Sequence, residues 1–74
     1  MLIYHPMAVT DKGTQFVYDG MNTAAEALKQ FEIWDYEYGV NFRSTWIDVY
    51  DSGQKVKRLS VAKKWVLESE DGIA

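Results

Sequence analysis

One helix, with stop signals at both ends, is written into DGMNTAAEALKQFEIWDYEYGV, residues 19–40. Thr23 and Glu26 have the spacing of a capping box, in which each side chain satisfies an orphan backbone N–H at the helix start. Ala24, Ala25, Ala27, Leu28 and Lys29 are good helix formers. Gly39 stands where a left-handed C-terminal residue belongs. Ala24, Ala27 with Leu28, Phe31, Trp34 and Tyr38 recur at intervals of three and four, so the segment predicts a helix over about 23–38 with one apolar stripe. Such a stripe must be buried against another layer, and the rest of the chain offers strands.

LIYHPMAV and QFVYD are β-rich runs around TDKG, a turn with Gly13 at its left-handed position. Pro6 has no N–H for a ladder, which predicts that the first strand lies at an edge or breaks there. After the helix, RSTWIDVYDSGQKVKRL reads as a hairpin. Trp46, Asp48 and Tyr50 alternate with Thr45, Ile47 and Val49, and Asp51-Ser52-Gly53 supplies the turn. The last segment fits two periods. Leu59, Val61, Trp65 and Leu67 suit a strand, while Val56, Leu59, Ala62 and Val66 suit a helix. The β-prone Val61, Trp65 and Val66, and the wider sheet that a strand would give the helix to cover, favour the strand. An acidic tail over about 69–74 is expected to be flexible. The expected architecture is a single α+β domain in which one helix packs on a mostly antiparallel sheet, in the order ββαββ(β).

A chain of 74 residues has a small core, and without cysteine it has neither disulfides nor thiolate metal sites. Three Trp, five Tyr and three Phe compensate, since each large ring buries roughly 150–250 Å². The first residues lack a signal peptide's basic and apolar regions, and no run approaches the roughly 20 apolar residues of a membrane span. The expectation is a soluble, cytoplasmic-type protein without membrane contact.

Catalytic chemistry finds few candidates. His5 is the one histidine, in a strand-like run with no carboxylate nearby in sequence. Asp35 and Glu37 lie roughly 200° apart around a helix, so they make no acid–base dyad. Asp48 with Asp51 reads as surface charge. Glu68, Glu70 and Asp71 miss the pattern of a calcium loop, and phosphate loops and nucleophile elbows are absent from the sequence. No enzyme activity, cofactor or metal is predicted.

Two stretches invite binding hypotheses. QKVKRLSVAKKW, residues 54–65, holds Lys55, Lys57, Arg58, Lys63 and Lys64, five of the eight cations in a chain of net charge −3. In a strand Lys55 and Lys57 would share a face, with a bulge or turn near Arg58 and Leu59 breaking the alternation. Cations beside an aromatic ring can hold single-stranded nucleic acid, with Trp65 the nearest ring, although a net negative charge and a core role for Trp65 argue against it. The same lysines could bind an acidic protein or simply protect a strand edge. The other stretch is FEIWDYEYG, residues 31–39. With Phe31, Trp34 and Tyr38 inward, Glu32, Ile33, Asp35, Tyr36 and Glu37 form an outward patch of apolar groups rimmed by acid, a composition suited to protein contacts. Charge is thus segregated, acid on the helix and tail, base around the last hairpin.

Ala25-Glu26-Ala27-Leu28, Trp34-Asp35-Tyr36 and Gly39-Val40-Asn41-Phe42 together resemble the helix and following strand of small phage-encoded host-takeover proteins, such as podophage RNA-polymerase inhibitors and some anti-CRISPR proteins. That resemblance implies a non-enzymatic domain acting by occupying the surface of a larger host protein. The leading reading is therefore an inhibitor or regulator from a phage or mobile element that uses the helix patch. A nucleic-acid-binding domain using the 55–64 segment is the alternative, and a subunit that pairs its sheet edge with a second copy is a third.

Overall fold

Alternation and capping produce six elements: β1 Leu2–Thr10, β2 Gln15–Val17, α1 Ala24–Tyr38, β3 Phe42–Asp51, β4 Gln54–Ala62 and β5 Val66–Asp71. The structure, a computed structural model, describes the backbone of residues 1–71 and the side chains of residues 1–68. All strand pairs are antiparallel, in one sheet of order β2-β1-β3-β4-β5. The α+β architecture expected from the sequence is present, with α1 between β2 and β3 in the chain and packed on one sheet face.

Local chemistry sets the helix. Thr23 Oγ1 accepts the Glu26 N–H at 3.2 Å, and Glu26 Oε1 accepts the Thr23 N–H at 3.1 Å. Gly39 closes the helix at φ 59°, donating its N–H to the Asp35 carbonyl at 3.0 Å. Ala27, Gln30, Phe31 and Trp34 form the buried face. They meet Ala8, Ile47, Val49, Leu59 and Val61 from β1, β3 and β4. Each fully buried large apolar side chain contributes roughly 1.5–3 kcal/mol. The rings close the core: Phe31 meets Trp34 edge-on at 5.6 Å and stacks on Trp65 at 5.6 Å, while Phe16 meets Trp34 at 5.5 Å. Trp65 is therefore partly buried, its ring packed against the core.

Three expectations are corrected. β1 is neither an edge nor broken at Pro6; it runs unbroken between β2 and β3. The N–H and C=O of Tyr4 point to the β2 side, where they bond Met21, so the missing N–H of Pro6 points there too. That position falls between the Met21 bridge and the first β2 pair at Met7, where the ladder requires no donor. Next, no single strand spans 59–67. Leu59 and Val61 belong to β4, and a turn at Lys63–Trp65 precedes β5. The Trp65 N–H bonds the Ala62 carbonyl at 2.9 Å, with Lys64 and Trp65 both left-handed at φ 67° and 61°. The third correction is that the lysine-rich β4 lies between β3 and β5, so its charges guard no edge. Within the acidic tail, Ser69–Asp71 pair with β4, and residues 72–74 lie outside the described residues.

Irregular register decides which side chains share a face. Val49 pairs Lys57 while Tyr50 pairs Lys55, leaving Val56 as the extra residue. The same count leaves Arg43 unpaired between Phe42 and Ser44, and Glu68 unpaired between Leu67 and Ser69.

Candidate binding surfaces

The outer side of α1 is the first surface. Glu32, Ile33, Asp35, Tyr36 and Glu37 are all exposed, Tyr36 at 90% and Ile33 at 43%. Helical neighbours three and four apart lie side by side, so Tyr36 sits among Glu32, Ile33 and the adjoining acids. Exposure is common to all five, but only Glu32, Ile33 and Tyr36 lie side by side; Asp35 and Glu37 point to opposite flanks of the helix. Tyr38, assigned to the buried stripe by its spacing, is 59% exposed, its ring meeting Phe16 edge-on at 5.1 Å.

The five predicted cations do not form one patch. The bulge at Val56 turns Lys55 onto the sheet face away from α1, whereas Lys57 pairs Val49 on the helix side, so the two do not share a face. This bulge lies before the position expected from the sequence. Its effect is that Lys55 and Arg58, three apart, reach the same carboxylate: Lys55 Nζ is 3.5 Å from Asp48 Oδ2, and Arg58 Nε donates to Asp48 Oδ1 at 3.2 Å. Lys63 and Lys64 stand at the β4–β5 turn. Together with Asp35, Asn41 and Trp65 they line a groove of about 320 Å³ at the helix C-terminus.

The second surface is the sheet face that α1 leaves uncovered. Ile3, His5, Met7 and Val9 of β1 lie across from Tyr50, Asp48, Trp46 and Ser44 of β3, and Arg58 and Ser60 of β4 follow. Asp48 is only 4% exposed there, because its neighbours and the two cations close over it. Arg58 also lies over the Trp46 ring, 4.7 Å from its centroid, and Trp46 Nε1 is buried without a hydrogen-bond partner among the described residues. His5, which lacked a carboxylate nearby in sequence, faces Asp48 across the β1–β3 ladder. Both carboxylate oxygens are engaged by cations, and His5 Nδ1 lies 3.4 Å from the Tyr18 carbonyl, its ring edge-on to Tyr50 at 5.1 Å. The chain also passes close here at Gly20. A Cβ on that residue would lie 2.1 Å from Ile3 Cγ2, so only glycine fits without movement.

Sequence reasoning assigned no site to Trp46, Asp48, Tyr50 or Arg43. The alternation of β3 already placed the first three on one face, and the predicted single helix could cover only one side of the sheet; the missing step was the register that brings β4 beside them.

Among the described residues no group of three or more His, Cys, Asp or Glu is placed to hold a metal, and no helix is long and apolar enough to cross a membrane. No family model, curated protein or solved structure matches this chain. The fold defines a small α+β module with two contrasting outer faces, acidic on the helix and cationic on the sheet.

Proposed function

We propose that this chain is a non-catalytic binding module that docks on a larger protein through the outer face of α1, acting as an inhibitor or regulator. The observation that carries this reading is Tyr36, 90% exposed on a well-capped helix, with Ile33 beside it and Glu32, Asp35 and Glu37 around it. Tyrosine offers a large contact area at low entropic cost, and anchors of this kind dominate interface energetics. The complementary surface is an apolar cleft rimmed by Lys or Arg, in which the acids supply encounter rate and orientation more than raw affinity. The resemblance of residues 25–42 to phage takeover proteins points the same way, towards a host protein as partner.

The test is capture of a stoichiometric partner by the tagged chain, repeated with Tyr36→Lys and Glu37→Lys and with the sheet-face variant Arg43→Glu. The expected result is loss of capture with the helix variants and retention with the sheet variant. Capture indifferent to the helix variants would show that α1 is the wrong surface.

A further inference from the structure

The uncovered sheet face carries a trough of about 660 Å³ whose lining includes Arg43, Trp46, Arg58, Lys63 and Glu68. Two of its charged residues, Arg43 and Glu68, are the extra residues of β-bulges, a device that re-aims side chains beside functional sites. Lys55 stands on the same face, bridged to Asp48. Among the described side chains the face holds Arg43, Lys55, Arg58 and Lys63 against Asp48 and Glu68, and the backbone register sets Asp71 opposite Arg58, which leaves a small excess of positive charge. Its centre is the Arg58 guanidinium lying over the Trp46 indole.

We infer that this face binds single-stranded nucleic acid, independently of the helix surface. The cations meet phosphates, and a base stacks on the outer side of the guanidinium–indole pair, a mode known for unpaired bases on arginine planes and sheet aromatics. The chain's net charge of −3 does not oppose this. The acids Glu26, Glu32, Asp35 and Glu37 belong to α1, on the far side of the sheet. One packed layer is about 10 Å deep, and charges further apart than a Debye length, about 8 Å at physiological salt, are largely screened. An acidic peptide would use the same cations, but its carboxylates offer no flat face to the stack at the centre. The composition of the trough therefore favours nucleotides. This set differs from the run of cations in the sequence: Lys57 and Lys64 leave it, and Arg43 and Trp46 enter.

The probe is a fluorescein-labelled 20-nucleotide single strand, as DNA and as RNA, titrated with the full chain and read by anisotropy. If three of the four cations each neutralise a phosphate and displace its condensed counterion, affinity should fall about 15–20-fold between 50 and 200 mM salt. Arg43→Glu with Lys63→Glu, changed at a bulge and a turn so that circular dichroism should be unaltered, should weaken binding at least tenfold. Lys64→Glu and Glu37→Lys should each leave it within twofold. Absence of binding at 50 mM salt overturns the inference, as does binding that Lys64→Glu weakens as much as the double variant. A poly-glutamate peptide that binds at least as tightly and is lost with the same double variant also overturns it, assigning the face to acidic polypeptide.

Discussion

Asp48 permits a quantitative test, because its side chain is 5% exposed while those of its partners Lys55 and Arg58 are 45% and 46% exposed. Replacing Arg58 by Met leaves Lys55 as counter-ion. The loss is then a half-exposed ion pair plus a half-exposed cation–π contact, about 1 kcal/mol together. Replacing Lys55 alone removes a longer, half-exposed pair, about 0.5 kcal/mol. Replacing both leaves a buried carboxylate with no cation. Breaking a buried pair in this way costs about 3–5 kcal/mol, and the open face admits enough water to favour the lower end, about 3 kcal/mol. The double variant should therefore exceed the two single losses combined by about 1.5 kcal/mol. Adding Asp48→Asn to the double variant should restore most of its loss by removing the stranded charge. Urea unfolding followed by circular dichroism measures all four variants. The effect is large against the roughly 4–11 kcal/mol available to a chain of this size, and 3 kcal/mol corresponds to a fall in Tm of about 12–24 °C. Additive losses, with no recovery by Asp48→Asn, would refute the claim that two cations jointly hold one buried carboxylate.

Lys64 adopts φ 67° without glycine's freedom, a strain of about 1 kcal/mol. Lys64→Gly should raise the unfolding free energy from urea titration slightly, by about 0.5 kcal/mol after glycine's entropic cost, and a clear loss would show that the lysine side chain itself supports the turn. At the helix start, Thr23→Ala removes an acceptor for the Glu26 N–H and should cost about 1 kcal/mol by thermal unfolding; a neutral result would mean that packing alone sets that end of α1.

The helix was legible because its signals are local. Thr23, Glu26 and Gly39 act on backbone groups within four residues of themselves, and the structure places all three as their spacing predicts. The Gly13 turn was legible for the same reason, with φ 89°. What the sequence hid depends on partners distant in the chain. Pro6 reads as a strand breaker until the Met21 bridge shows where its missing N–H points. Lys55 and Lys57 read as one face until pairing with β3 places the bulge between them. The exposure of Glu32, Ile33, Asp35, Tyr36 and Glu37 was legible, since amphipathic periodicity specifies an outside as well as an inside. The sheet face was not, because Arg43, Trp46, Asp48 and Arg58 converge only once β3 and β4 are in register.

The Met1 ammonium lies 3.0 Å from Asp51, 50 residues along the chain, at the end of the β1–β3 ladder. During synthesis β1 therefore has no permanent neighbour on that side until β3 has emerged, whereas β3, β4 and β5 can zip sequentially through short turns. Long-separation pairing of this kind slows folding, so the C-terminal meander is the natural seed and the N-terminal strand the last to close.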